Sequence, residues 1–262
     1  MIHFIATIGA VTLRLCEILG SIFLFTSQSL ILRNRIRYGF HRVILSIYTI
    51  GTTSFLFIAS IALFTGLILA LQGYHTLTRF GAHSLLGNAI AITLVQELAP
   101  VLTAIMVIAR AGSATTSHLA VMRITEQIQA LHVHNISPLL FLVRPTILGF
   151  LISLPLLTLF FIAIALLGAY YFAVGILYIP SGVYINGLIQ STSFLDIIYS
   201  MSKAFVFAIL ISSITCYIGY NIHLVIKEKG ATAIRIATTK SVVFACITVL
   251  VANYILTSIL FT

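Results

Sequence analysis

The stretch LVQELAPVLTAIMVIARAGSA, residues 94–114, decides the fold of this chain. It reads as a helix in lipid, yet it holds a glutamate, Glu97, and a proline, Pro100, three residues later. A charge at the centre of a bilayer costs at least about 2.5–3.5 kcal/mol on insertion scales, so an ionisable residue there is a functional hypothesis by default. Only five residues of the chain are acidic, which makes this placement conspicuous.

The rest of the chain has the same character. Of its 262 residues 60% are hydrophobic and 7% are charged, and the mean hydropathy is +1.16. A soluble domain carries about 25% charged residues. The composition therefore excludes a water-soluble globule and predicts an all-α polytopic membrane protein, because a helix satisfies its own backbone in lipid. The net charge of +9 does not point to nucleic acid, since the basic residues flank apolar runs instead of forming a stripe. Cys16, Cys216 and Cys246 are scattered without CxxC spacing and imply neither a disulfide nor a metal site.

A spanning helix needs about 20 mostly apolar residues. Five stretches qualify: 43–72, 84–109, 145–177, 196–222 and 242–261. Residues 1–42 read as an N-terminal interfacial helix followed by a basic segment, and 43–262 as the membrane domain. Residues 1–32 carry Arg14 and Glu17 and have neither the basic start of a signal peptide nor the Arg/Ser-rich character of a transit peptide. In an organelle, such a chain is expected to be made where it works.

Charge placement tests the count of spans. With five, one side holds Arg14, Arg33, Arg35, Arg37, Arg42, Arg110, Arg123, Arg144, Lys227, Lys229, Arg235 and Lys240. The other side has only Arg79, and Lys203 falls inside the fourth span. That asymmetry puts the N-terminus on the cytoplasmic side, or the stromal side in a plastid. Pro180 and Gly182 end the third span and leave a short segment on the outer side.

Three ionisable residues lie within spans: Glu97, Lys203 and, near an outer end, Asp196. Asp196 and Lys203 are two helical turns apart and share a face. They either line a cavity or form a polar contact that only holds helices together. Pro100 removes a backbone hydrogen bond one turn after Glu97, and a loosened helix beside a carboxylate suits a cavity wall.

Between the second and third spans, MRITEQIQALHVHNISP, residues 122–138, places Ile124, Ile128 and Leu131 at helical spacing among polar residues. This predicts a short amphipathic helix, resting on headgroups or presented to a soluble partner. No GxxxxGK[ST] loop occurs, so the chain has no visible ATP site of its own. His118, His132 and His134 lack the carboxylates that a metal site in a loop would add, and no nucleophile–base constellation is present.

At this point QELAPVLTAIMVIARAGSATTSHLAVMRITEQIQAL, with LQGY, SLPLLT and ATTKSVV elsewhere, resembles the signature of MlaE-type permeases. These are the membrane subunits of lipid-moving ABC transporters. The wording of QELAPVLTA and VANYILTSILF is similar to the cyanobacterial and plastid branch, which includes the plant trigalactosyldiacylglycerol importer. The resemblance covers almost the entire chain. It implies that 43–262 is an MlaE-type permease domain forming a homodimer, with a cytoplasmic or stromal ABC ATPase binding the ATP and an MCE-domain lipid-binding protein on the far side. No cofactor is implied for the chain itself. Glu97, Pro100, Asp196, Lys203 and Arg235 would line the lipid cavity, with Asp196 and Lys203 as a charged pair. Met122, Arg123, Thr125, Glu126, Gln127, Ile128 and Leu131 would form the coupling helix that docks on the ATPase, so Asp at Ile128 or Leu131 is expected to release that subunit.

Three departures bear on headgroup choice: Gln96 stands where the family often has Arg, Ala109 where it often has Gly, and Asn253 where some members have Asp. The expected setting is the inner envelope of a plastid, with the inner membrane of a bacterium as the alternative. The competing function is an ion-coupled secondary transporter with Glu97 as the protonatable group. That class favours internal repeats or broken helices in matched halves, and neither is visible.

Overall fold

The computed structural model describes residues 2–31, 39–82, 85–226, 228 and 230–260. Arg33, Arg35 and Arg37 of the basic segment lie outside the described residues, as do Lys227 and Lys229. Among the described residues, five helices are long and apolar enough to cross a membrane: Phe40–Thr78 (α2), Leu86–Ile124 (α3), Leu139–Ile176 (α5), Phe194–Tyr220 (α7) and Ala231–Ile259 (α9). The helix Ile2–Ile31 (α1) precedes them. Gln127–Val133 (α4) joins α3 to α5, Ser181–Ser191 (α6) joins α5 to α7, and the short Ile222–Val225 (α8) follows α7.

Helices α3 and α9 are longer than their apolar runs. The second span was expected to end at residue 109, but α3 continues to Ile124 as one 39-residue rod. At 1.5 Å per residue it is about 58 Å long, against a hydrocarbon core of about 30 Å. Small and hydroxyl residues allow the extension. A Cβ at Gly219 of α7 would lie 2.8 Å from the Thr116 carbonyl oxygen, so the two backbones nearly touch. Thr116 Oγ1 donates to the Thr215 carbonyl at 3.1 Å and lies 2.8 Å from Ser241 Oγ of α9. These bonds hold the end of α3 against both neighbours. For the same reason α9 begins eleven residues before the expected 242, with Ala233, Ala237 and Ser241 buried.

Helices α5 and α7 form the middle of the bundle, with α2 packed on α5. On α2 the buried residues are Ile50, Ser54, Ile58, Ala62, Gly66 and Ala70, one every four residues and so on one face. Lipid tails are as apolar as any side chain, so close backbone approach through small residues is what joins such helices. A Cβ on Gly66 would overlap the Ala165 carbonyl, and one on Gly168 would lie 2.8 Å from the Leu63 carbonyl oxygen. At the opposite end, α6 lies over the start of α3, where a Cβ on Gly87 would meet the Tyr184 carbonyl oxygen at 2.5 Å. Burial there pushes the Tyr184 hydroxyl up to about 12. Helix α1 sets Ile22, Phe25, Thr26 and Ser29 inward, and Phe25 stacks edge-on to Tyr217 at 5.7 Å. Leu13, Phe23 and Leu24 face outward.

Two prolines create a repeated local device. Each follows a π-helical turn, Leu94–Leu98 before Pro100 and Leu139–Val143 before Pro145. Proline has no N–H for the carbonyl four residues back. In both cases a cation from another helix takes that carbonyl: Lys203 Nζ donates to Gln96 O at 3.0 Å, and Arg42 Nη1 donates to Phe141 O at 3.2 Å.

Candidate functional site

Glu97 sits in the first π-helical turn of α3, where the helix is widened and Pro100 prevents it from tightening again. One carboxylate oxygen, Oε1, accepts from Lys203 Nζ at 2.8 Å and from Thr257 Oγ1 at 2.9 Å. The other, Oε2, accepts from Asn253 Nδ2 at 3.0 Å. Lys203 also donates to Thr257 Oγ1 at 2.9 Å. Its ammonium therefore has three acceptors, which matches its three protons. The Lys203 side chain is 2% exposed and that of Glu97 is 33% exposed. The cation is the buried anchor, and the carboxylate is the group that remains reachable.

Helix α7 supplies Lys203 because Ala204, Phe207 and Ala208 pack its neighbouring positions into the core. Helix α9 supplies Asn253 and Thr257 one turn apart on one face. On another face of the same helix Val243, Ile247, Leu250 and Tyr254 are exposed, while Ala245 and Val249 are buried. Asn253 Oδ1 is buried and has no hydrogen-bond partner among the described residues. An unused acceptor beside a half-open carboxylate is the kind of group that receives a donor from a ligand or neighbour.

The expected pairing of Asp196 with Lys203 is not what the structure has. Asp196 Oδ2 accepts from the Ser193 backbone N–H at 2.7 Å and completes a capping box at the start of α7. Its other oxygen accepts from Gln96 Nε2 at 2.9 Å. Gln96 thus links the two charged centres, with its side chain on Asp196 and its carbonyl on Lys203. Arg235 does not join the cluster. It is exposed near the start of α9, and the 18 residues to Asn253 separate the two by about 27 Å along the helix. Sequence reasoning missed Thr257 altogether and treated Gln96 and Asn253 only as departures. The four-residue spacing of Asn253 and Thr257 in an apolar run was the available signal.

The amphipathic segment is also arranged differently. Met122 and Arg123 end α3, Thr125 and Glu126 form a turn, and Glu126 has a left-handed φ of 60°. The helix itself is α4, Gln127–Val133. Ile128 is fully buried against Leu119, Val143 and Ile147 of the same chain, and Leu131 packs on the same cluster. The apolar face expected to meet a partner is therefore spent on the bundle. Outward face Gln127, Gln129, Ala130 and Val133, the last 85% exposed. Arg123 Nε donates to His223 Nδ1 at 3.3 Å and its guanidinium lies 5.7 Å from the Tyr220 ring centre. Burial first, and the Arg123 charge second, hold the His223 imidazole below its ordinary pKa.

Comparison with known proteins gives a consistent answer. Residues 43–259 match the family Permease MlaE. The probable ABC transporter permease protein of Rickettsia conorii is 34% identical over 267 residues, covering 97% of this chain and 96% of its own. The intermembrane phospholipid transport system permease protein MlaE of Haemophilus influenzae is 33% identical over 262 residues, covering 100% and 98%. The probable ABC transporter permease protein of Pyropia yezoensis is 29% identical over 226 residues, covering 86% and 84%.

Proposed function

The chain belongs to the MlaE permease family, and we propose on that footing that it moves lipid as the membrane subunit of an ABC transporter whose ATP is hydrolysed by a separate protein. The carrying observation is the Glu97 carboxylate, one-third exposed in a π-widened helix and held by Lys203, Asn253 and Thr257. Such a centre binds the polar headgroup, and apolar walls take the tails. The unused Asn253 carbonyl supplies an acceptor for a hydroxyl or amine of that headgroup.

Two copies face each other across the exposed side of α9, which gives a homodimer with one such centre per half. A cytoplasmic or stromal ABC ATPase docks on Glu126, Gln127, Ala130 and Val133 around α4. An MCE-domain protein on the other side exchanges lipid with the cavity. Residues 43–262 form the permease domain, and α1 lies along the interface with its outward apolar residues in lipid. The Pyropia relative supports a plastid inner envelope and the Rickettsia and Haemophilus relatives a bacterial inner membrane.

The experiment is ATP-driven lipid transfer between vesicles, with the permease and its ATPase reconstituted together. Glu97→Gln is expected to abolish transfer while ATP hydrolysis continues. Transfer driven by a pH gradient without ATP would instead favour an ion-coupled carrier and overturn the proposal. The Glu97–Lys203 pair argues against that carrier, because the carboxylate is already neutralised by a buried cation.

A further inference from the structure

A second polar site lies at the end of the bundle that carries α4. There a cavity of about 360 Å³ opens between the starts of α2 and α5 and the last turns of α3. Arg42, His118 and the hydroxyl residues Ser46, Thr49, Thr115 and Thr146 line it, together with Leu45, Leu119 and Leu142. Among the described residues no carboxylate lines it. Its size falls within the range of small-molecule sites, roughly 300–1,000 Å³.

Arg42 is fixed in place before any ligand arrives. Its Nη1 donates to the Phe141 carbonyl left free by Pro145, and its guanidinium carbon lies 3.3 Å from the centre of the Phe141 ring. A guanidinium has five N–H donors in a rigid fork, and that single hydrogen bond uses one of them. The others face a half-apolar cavity that His118 also lines. His118 follows Glu97 by 21 residues on the same helix, about 31 Å away, so the cavity is separate from the Glu97 centre.

We infer that this cavity holds the phosphodiester headgroup of an anionic lipid from the leaflet on the α4 side. Arg42 takes two phosphate oxygens through its fork, His118 donates to a third, and the acyl chains lie along Leu45 and its apolar neighbours. Basic pockets between membrane helices on the cytoplasmic side take such headgroups. The lipid is a resident one that ties α2, α3 and α5 together. The assignment needs only that the chain spans a membrane, and it does not depend on transport.

Native mass spectrometry of the full chain tests it, after stripping with detergent and exposure to equal phosphatidylglycerol and phosphatidylcholine. The wild type is expected to retain phosphatidylglycerol preferentially. Arg42→Met should lower that preference about fivefold, the factor one cation near an anionic surface contributes. His118→Ala, at an exposed position, should lower it in a chain that still folds. Gly182→Ala, where nothing lies within 4 Å, should leave it intact. Millimolar inorganic phosphate should not displace the lipid, because it lacks the acyl contacts. Displacement would mean a site for free phosphate and overturn the lipid assignment. An unchanged preference in both Arg42→Met and His118→Ala, or an equal loss in Gly182→Ala, overturns the site itself.

Discussion

Lys203 Nζ lies 2.8 Å from Glu97 Oε1, and both groups bond Thr257 Oγ1 at 2.9 Å, so a single hydroxyl on α9 closes a triangle with a buried ion pair. Three spanning helices meet at this point. Removing one partner strands the other, whereas removing both does not. Lys203→Met is expected to destabilise the protein by about 2–3 kcal/mol, less than a wholly buried pair because Glu97 is partly open. The double variant Glu97→Gln with Lys203→Met should recover most of that in thermal unfolding in detergent and still fail to transfer lipid. If the double variant is as unstable as Lys203→Met, the pair is not what sets stability.

The orientation of α4 makes a divided forecast for the ATPase. Val133→Asp, on the outward face, should reduce co-purification of the ATPase and leave the unfolding temperature within a degree or two. Ile128→Asp would put a carboxylate into the core and cost about 4 kcal/mol. Its loss of partner would come with loss of folded protein, visible by size-exclusion chromatography. Normal ATPase binding by Val133→Asp would show that the partner sits elsewhere.

The contact of α2 with α5 rests on Gly66. Gly66→Ala drives a methyl into the Ala165 carbonyl, and overpacking of this kind costs about 1–3 kcal/mol. Gly175→Ala and Gly182→Ala, where nothing lies within 4 Å, serve as matched controls and should be close to neutral. Thermal unfolding of the three variants side by side decides the matter.

His223 predicts a pH dependence. Its pKa is lowered in the folded state, so between that value and the ordinary value near 6.5 the unfolded chain binds more protons. Stability therefore rises with pH across that window and is lost as pH falls through it, when the imidazolium forms beside Arg123. His223→Gln should flatten the dependence there. An equally steep curve in the variant would assign the effect to another group.

The number of spans and the two intramembrane charges were legible because a charge among apolar residues stands out against its cost. Which charges meet was not. Asp196 and Lys203 share a helix face in the sequence, but Ser193 three residues before Asp196 writes a capping box that claims the carboxylate. That signal was present and overlooked. The length of α3 depends on Thr116, Gly219 and Ser241, which meet from three different helices, and no local pattern announces such a meeting. For α4 the spacing located the apolar face and could not say whether the bundle or a partner covers it.

The two proline-freed carbonyls have a consequence for how such chains change over time. Replacing Pro100 by another residue returns an N–H to Gln96 O, so that carbonyl no longer depends on Lys203 for a donor. Replacing Lys203 alone leaves the carbonyl bare. Pro145 and Arg42 stand in the same relation across α5 and α2. Each proline and its cation, distant in sequence, therefore form one unit: once the proline is replaced, loss of the cation no longer leaves its carbonyl without a donor.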